Sequence, residues 1–427
     1  MQPKTYFATE HDIDSSLIDN DALYVINKLK AGGFTAYLVG GSVRDLLIKK
    51  VPKDYDISTS AQPEEIKRLF QRQCLLIGRR FRLAHIRFGH KVIEVATFRS
   101  GENESDLIVQ DNIWGTPEED VLRRDFTING LFYDPTTHSV IDYVGGWNDI
   151  KKHVLRTIGD PEIRFKQDPV RMIRLLKFRA RFGFEINPPC RKALLLCKEE
   201  IIKSSPARIL EEIFRMLESG ASTPFFHLMK EAGLLQHIFP ELTNSLMAPE
   251  GKWIYHYLSV ADRLNLKNLK MPLDRALLTS CLLFPILEKE MKEHYLQKNH
   301  IPHLGEVMML TTSVLKNILT SSFSHFPRRI SSMMAFILVN QYRLTPPSGR
   351  KQPRPKLFRN KEFALALQFL KIRAMVDKNL VDTYTAWREF YRQHERHGDR
   401  KIHHHQTSEP HHKERNHEDK QSHASRN

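Results

Sequence analysis

Two aspartates one residue apart, Asp54 and Asp56 in the run PKDYDIST, form the pair in this chain with the most evident chemistry. Alternate residues of a strand point to one face about 7 Å apart, so a strand here sets both carboxylates on one surface and turns Tyr55 and Ile57 toward a core. Carboxylates so placed can bridge or share divalent cations. In a two-metal site one ion lowers the pKa of an attacking hydroxyl, while the other holds a triphosphate and neutralises the leaving pyrophosphate. An Asp-x-Asp pair is also a common surface feature, and its weight comes from the segment before it. GGSVRD, Gly40 to Asp45, sits between a strand and a helix, where missing β-carbons let backbone amides approach phosphate oxygens at a helix N-terminus. Ser42 can donate its hydroxyl to the same phosphates. Either segment alone has an ordinary reading, a turn or a surface pair. Loop and carboxylates separated by one short helix describe a triphosphate-plus-metal site.

The elements that must position these residues are legible nearby. Helical spacing of apolar residues runs from Asp21 to Leu29, and Ala36 to Val39 reads as a buried strand ending at the glycines. Ser42 is expected to cap a helix over Val43 to Ile48. A strand around Tyr55 to Ile57, a helix from Pro63 to Gln71 and strands at Ala84 to Phe88 and Val92 to Thr97 follow. Gly101 to Pro117 lacks periodicity and reads as a mobile loop; Glu118 to Arg124 is helical, and Val140 to Tyr143 is a further strand. From Asp168 onward long amphipathic segments without strand signal take over, ending at Phe182, then spanning Pro189 to Ile202, Pro206 to Leu217 and Pro224 to Ala232. The fold class is therefore α+β followed by all-α.

The chain has 427 residues and 41% hydrophobic content, enough for two or three cores, and a formal net charge of +15 that favours a polyanionic partner. Four scattered cysteines, Cys74, Cys190, Cys197 and Cys281, suggest neither a disulfide scaffold nor a zinc ribbon. No signal segment or membrane-spanning stretch stands out, which leaves a cytoplasmic address and no membrane partner as the expectation. The run LTPPSGRKQPRPK, Leu344 to Lys356, reads as a basic linker, helix resumes at Lys361 through Phe390, and the His-rich tail beyond about Gln393 is expected to be disordered. Its histidines carry no catalytic role in this reading.

Three further motifs carry charge in patterns suited to nucleotides. Glu94 lies in IEVATFR. Arg123, Arg124 and Asp125 open RRDFTIN, and adjacent guanidinium forks suit triphosphate contacts, although such a cluster also marks many solvated helix ends. In QDPVRMIR, Asp168 and Arg171 stand a helical step apart, so a carboxylate and a guanidinium can meet the Watson–Crick edge of a base; the alternative is a surface salt bridge.

LVGGSVRDLL, KDYDIST, IEVATFR, RRDFTIN and DPVRMIR, in this order, resemble the bacterial poly(A) polymerase and tRNA CCA-adding nucleotidyltransferase family in its eubacterial-eukaryotic class, strongly over the first half of the chain and loosely beyond. The resemblance implies a polymerase-β-like catalytic head (1–155), a helical neck that recognises the base (156–220) and a helical RNA-binding body (221–343). The basic linker (344–356), a C-terminal helical segment (357–392) and the tail (393–427) complete the chain. It implies Asp54 and Asp56 as catalytic, metal-binding carboxylates with Glu94 as a further acidic ligand, and Asp125 as a support of the active centre. Gly40, Gly41, Ser42, Arg44, Arg123 and Arg124 are implied to contact the nucleotide, with Asp168 and Arg171 as a protein template. Two magnesium ions, with manganese as the substitute, ATP as substrate and RNA 3′ ends as acceptors follow. One departure matters: the family usually has Glu before the Asp where this chain has Gln167, which puts the anchoring of that helix in question.

Poly(A) and CCA addition share this catalytic set, so the choice rests elsewhere. GRRFRLAHIRFG, Gly78 to Gly89, with Arg79, Arg80, Arg82 and Arg87, resembles the arginine-rich stretch of poly(A) polymerases, as do DNIWGTPEEDVLRRDFTIN and the C-terminal FRNKEFALALQFLKIRA. The arginines can line a nucleotide or primer path, or simply form a basic strand face. Trp387, Phe390 and Tyr391 fit core packing better than base stacking. The leading expectation is template-independent transfer of AMP from ATP to RNA 3′ ends in mRNA polyadenylation. CCA addition is the alternative, and a catalytically idle RNA-binding protein the second.

Overall fold

The computed structural model describes residues 2–78, 83–100, 113–268, 271–320, 322–323, 326–346, 355–358 and 360–406. The chain divides into two compact units, 1–339 and 340–427.

The first unit opens with an eight-stranded mixed sheet. Its strands are β1 (Lys4–Phe7), β2 (Ala36–Val39), β3 (Asp56–Thr59), β4 (Cys74–Ile77), β5 (Leu83–Phe88), β6 (Lys91–Thr97), β7 (Leu131–Asp134) and β8 (Ser139–Asp142). They lie in the order β1-β8-β7-β2-β3-β6-β5-β4, with β3 and β6 parallel and the other neighbours antiparallel. Sequence patterning located β2, β3, β5, β6 and β8. Strands β1, β4 and β7 were not located from the sequence.

Helices α1 (Asn20–Ala31), α2 (Gly41–Leu47) and α3 (Pro63–Phe70) follow the first strands. Asp19 caps α1 by accepting from the amides of Asp21 and Ala22, and Pro63 begins α3 where its missing N–H costs nothing. The buried residues Ala22, Val25, Ile26 and Leu29 of α1, with Ile66 and Phe70 of α3, accompany the buried strand residues Leu38, Ile57, Ala84, Ile86, Ile93 and Val95. Register places those strand residues on one sheet face. On the opposite face a second cluster, Val39, Phe98, Val121, Phe132 and Ile158, fixes α4 (Pro117–Leu122) against the sheet.

After α5 (Gly146–Lys151) the unit is helical: α6 (Pro161–Gln167), α7 (Val170–Phe182), α8 (Pro188–Cys197), α9 (Pro206–Glu218), α10 (Ser222–Glu231), α11 (Leu234–Ile238), α12 (Pro240–Met247), α13 (Gly251–Lys267), α14 (Arg275–His294), α15 (Leu304–Leu315) and α16 (Arg328–Leu344). One short parallel ladder interrupts this series, Val154–Leu155 (β9) with Glu185–Ile186 (β10). Neither two-residue strand is legible in the sequence. The ladder stitches the end of the sheet region to the turn after α7, across the expected boundary between head and neck.

In the second unit α17 (Pro355–Phe358), α18 (Phe363–Val376) and α19 (Val381–Gln406) are separated by short breaks. Trp387 is buried and donates its indole N–H to the Leu344 carbonyl at 3.0 Å, and Tyr391 packs on Phe363, so two of the three C-terminal aromatics serve packing while Phe390 is 42% exposed. Two expectations need correction. The helix expected to run on from Lys361 breaks around Asp377, and the tail expected to be disordered from Gln393 continues as helix to Gln406. Extending an anchored helix costs far less than nucleating one, so a buried Trp387 carries a polar continuation that could not form alone. Most of the expected linker, 347–354, the expected mobile loop at 101–112, and residues 407–427 lie outside the described residues.

Candidate active site

Asp56 opens β3 and stands directly opposite Val39, the last residue of β2, so the carboxylate adjoins the turn at Gly40. Asp54 precedes the strand rather than lying in it, yet the alternation holds: Asp54 and Asp56 are exposed while Tyr55 and Ile57 are buried. On the other side Asp56 pairs in register with Glu94 of β6, and Glu94 in turn with His85 of β5, whose imidazole Nε2 is 3.4 Å from its carboxylate. Desolvation first, then repulsion by Glu94 and Asp54, push Asp56 up to about 6, with Arg124 opposing. Asp56 still reaches solvent, so neighbouring negative charge contributes materially to that strain.

This donor set fits a hard divalent cation. All three groups are carboxylates, and a cation among them would relieve the repulsion that raises Asp56. Among the described residues no three His, Cys, Asp or Glu side chains form a ready-made cage. Magnesium seldom uses one; it takes one or two carboxylates and completes its octahedron with water and substrate phosphates.

The glycine turn has the geometry of a close approach. Gly40 has φ 66° and ψ −126°, a conformation that essentially only glycine adopts, and a β-carbon on it would lie 3.2 Å from Arg124 Nη1. Gly40 is the N-cap and α2 begins at Gly41; Ser42 sits inside the helix, correcting the expectation that it caps. Its buried hydroxyl donates to the Val39 carbonyl at 2.9 Å, which holds the turn closed instead of facing an incoming phosphate. Arg44 is also buried. Its Nε and Nη2 donate to Asp45, its Nη1 to Asn129 Oδ1 at 2.6 Å, and its guanidinium lies over the rings of Phe178 and Phe182. It links α2 to α7.

Arg124 is the guanidinium nearest the carboxylates. It donates to Asp120 at 2.8 Å and Ser58 Oγ at 3.3 Å, crossing β3 on the face that carries Asp56. Arg123 donates to the Ser100 carbonyl at 2.6 Å. Asp125 points inward: one oxygen accepts from the Phe126 amide and Asn129 Nδ2, the other meets Arg174 at 2.8 Å. Burial alone would raise its pKa, but Arg174 and these hydrogen bonds win and hold it below the usual carboxylate range. Arg174 also approaches Glu212 at 3.7 Å, and Glu212 binds Lys177, whose burial pulls it down to about 8. A continuous, largely buried chain, Arg44–Asn129–Asp125–Arg174–Glu212, thus joins the glycine helix to α7 and α9.

Asp168 and Arg171 do not share a helix. Asp168 terminates α6 and α7 begins two residues later, at Val170. Asp168 Oδ2 binds Arg208 of α9 at 2.7 Å, while its buried Oδ1 has no hydrogen-bond partner. Arg171 donates to the carbonyls of Arg164 and Arg123, and burial with the neighbouring Arg164 lowers it to about 10. The salt bridge that would have been the ordinary reading is replaced by separate anchors, which leave a carboxylate oxygen beside a fixed guanidinium. Gln167 keeps its anchoring bond: its side-chain oxygen accepts from Arg164 Nη1 at 3.3 Å, and Arg164 Nη2 caps the carbonyls of Leu122 and Arg124.

The sequence reading missed Asn129, Arg174, Arg208 and Glu212. The first two lie within RRDFTIN and DPVRMIR, where spacing offered a clue; Arg208 and Glu212 carry no local signal because their partners are 40 and 38 residues away. Of the basic hairpin, Arg87 is exposed on β5, and Arg79, Arg80 and Arg82 lie outside the described residues. All four cysteines are free and buried, and no described helix is long and apolar enough to cross a membrane.

Comparison with known proteins places the chain in a family. Residues 36–156 match the poly(A) polymerase head domain, 183–246 the "probable RNA and SrmB-binding site of polymerase A", and 312–422 the polymerase A arginine-rich C-terminus. Poly(A) polymerase I of Salmonella typhi is 36% identical over 389 residues, covering 87% of this chain and 81% of its own. The CCA-adding enzyme of Lactobacillus helveticus is also 36% identical, but over 219 residues, 51% of this chain and 54% of its own. Among solved structures, the Bacillus stearothermophilus CCA-adding enzyme in complex with CTP is similar in fold, with a TM-score of 0.55 at 24% identity over 87% of this chain and 81% of that one.

Proposed function

The chain belongs to the poly(A) polymerase I family, and from that premise we propose that it is a polynucleotide adenylyltransferase that extends RNA 3′ ends with AMP from ATP, without a template, releasing pyrophosphate. The observation that carries this reading is the register of β2 against β3, which sets Asp56 beside the Gly40 turn. In sequence, the likeness to poly(A) polymerase I of Salmonella typhi covers 87% of the chain and that to the CCA-adding enzyme of Lactobacillus helveticus 51%, which favours poly(A) over CCA addition.

In this mechanism the glycine turn admits the triphosphate close to the backbone, where a side chain at Gly40 would collide with Arg124. Arg124 supplies positive charge on the carboxylate face, and Arg123 stands next to it. Asp125, held ionised by Arg174, anchors the segment that presents both arginines. Asp168 Oδ1 accepts from the adenine amino group and Arg171 donates to the neighbouring ring nitrogen, a pairing that fits the acceptor and donor left at these positions. Asp54 and Asp56, with Glu94 beside them, would hold two divalent ions, magnesium by preference, that activate the 3′-hydroxyl and neutralise pyrophosphate. The hydroxyl oxygen bonds to the α-phosphorus as the bond to pyrophosphate breaks. The acceptors are RNA 3′ ends in mRNA polyadenylation, and the setting is cytoplasmic.

The test is product analysis with all four NTPs, on an unstructured RNA and on a tRNA lacking its terminal CCA. Long A tracts on both support the reading, and addition limited to CCA on the tRNA refutes it. Joint replacement Asp54→Ala with Asp56→Ala is expected to abolish AMP incorporation while RNA affinity persists.

A further inference from the structure

The solvent face of α13 combines exposed cations with an exposed tryptophan and carries no acid. Helix α13 contains one acid, Asp262, and it is buried, accepting from the Ser222 amide and hydroxyl and from the Thr223 amide. Its exposed residues include Lys252, Trp253, His256, Ser259, Arg263 and Lys267. At 100° per residue these six fall within about one third of the helix circumference, along about 22 Å at 1.5 Å per residue.

Several cations elsewhere in the same region are paired, Arg215 with Glu211, Arg275 with Glu211 and Glu218, and Lys289 with Glu250. Lys252, Arg263 and Lys267 pair with no carboxylate among the described residues; Lys252 instead lies over the Trp253 ring, 5.6 Å from its centroid. Trp253 is 43% exposed, while Trp147 and Trp387 are buried. His256 packs against the indole at an interplanar angle of 84°, ring centroids 5.5 Å apart. Beside this stripe, Tyr255 stacks on His227 of α10 at 3.7 Å and 6°, with Lys230 near the same ring.

A row of unpaired cations beginning at an exposed aromatic ring matches single-stranded RNA, in which phosphates repeat along the strand and every base offers a face for stacking. We propose that the solvent face of α13 is a sequence-independent track for the RNA strand upstream of its 3′ end, with Trp253 as a base-stacking post and Lys252, Arg263 and Lys267 as phosphate contacts. This track lies outside residues 183–246, where the match to an RNA-binding region falls, and it rests on the reading that RNA is the acceptor.

The test uses the full chain. Trp253→Ala, Trp253→Phe and a triple charge reversal, Lys252→Glu with Arg263→Glu and Lys267→Glu, alter only exposed side chains. Affinity is measured by fluorescence anisotropy on labelled oligo(A) of about 20 nucleotides and of about five, over a range of salt. The triple variant is expected to bind the long strand at least tenfold more weakly, with the salt slope of log Kd reduced by about 2, since each lost contact removes about 0.7. Trp253→Ala is expected to lose about five- to tenfold, and Trp253→Phe to recover most of it. Affinity for the short strand and its rate of AMP addition stay within about twofold. Unchanged long-strand affinity overturns the proposal, as does an equal loss on both lengths. Failure of the wild-type chain to add AMP to any RNA would instead overturn the proposed function.

Discussion

Replacing Arg174 by Met tests whether the largely buried chain between α2 and α9 determines stability and site geometry. Asp125 is only 4% exposed at its side chain and meets Arg174 at 2.8 Å. Removing one partner of a buried ion pair costs about 3–5 kcal/mol, because the remaining charge is left without compensation. Arg174 is itself 35% exposed, so solvent already screens part of the attraction, and about 2–3 kcal/mol is the better figure. The pH dependence follows from sign. Asp125 titrates below its ordinary value of 3.8 in the folded protein, so its contribution is present above that value and is lost as pH falls through the folded pKa. The deficit of Arg174→Met should therefore be largest near neutrality and narrow toward pH 4, where the orphaned Asp125 takes up a proton. Urea midpoints of wild type, Arg174→Met, Asp125→Asn and the double variant, at several pH values, give the coupling by a double-mutant cycle, expected at about 1–2 kcal/mol. The single changes should also be unequal. Without Asp125, Arg174 still faces Glu212 at 3.7 Å, whereas without Arg174 the second oxygen of Asp125 has no cation. Equal midpoints for wild type and Arg174→Met at neutral pH, or strict additivity in the cycle, would refute the reasoning.

Gly40→Ala is expected to cost about 1–3 kcal/mol of stability and to raise KM for ATP, since φ 66° with ψ −126° is strained for alanine and Arg124 must move; a normal KM would show the turn is not the triphosphate contact. Metal-free Asp56→Asn should melt higher than wild type above pH 6, and the difference should shrink as pH falls from about 6 to 4, because a raised carboxylate pKa destabilises the fold where the group is ionised. Magnesium should raise the wild-type melting temperature more than that of Asp56→Asn, and chelation by EDTA should stop AMP addition. Arg208→Ala frees the second oxygen of Asp168 and is expected to raise KM for ATP and weaken its preference over CTP; unchanged selectivity would mean that Asp168 is positioned without it.

What the sequence disclosed depended on the range over which each constraint acts. Asp54 and Asp56 were readable because a strand's two-residue period is local, and Tyr55 and Ile57 are buried as that period requires, although hydrogen bonding admits only Asp56 to the strand. Gly40 was readable because its backbone, at φ 66°, disfavours any residue with a β-carbon. Ser42 was misread for a related reason: a serine after glycine resembles a cap, but with Gly40 able to turn back the helix starts a residue earlier and takes Ser42 inside. The pairing of Asp168 with Arg171 was half legible. Their spacing placed them near each other, but the chain leaves helix at Asp168, and what holds each is a residue from another element, Arg208 or Arg164.

The residues that escaped the sequence share one property, that their partners are set by packing between elements. Arg44 was expected at the nucleotide because it lies in the glycine motif, and its side chain instead turns onto Phe178 and Phe182 and bonds Asn129. That placement gives the motif a second role. A shift of α7 cannot leave α2 untouched when one guanidinium is stacked on the first and rooted in the second, so the start of α7, where Arg171 is proposed to meet the base, and the glycine turn at the start of α2 are constrained as one assembly. The spacing of GGSVRD therefore joins two features, a turn at Gly40 proposed to admit the phosphate and a guanidinium four residues on that ties the sheet domain to the helix next to it.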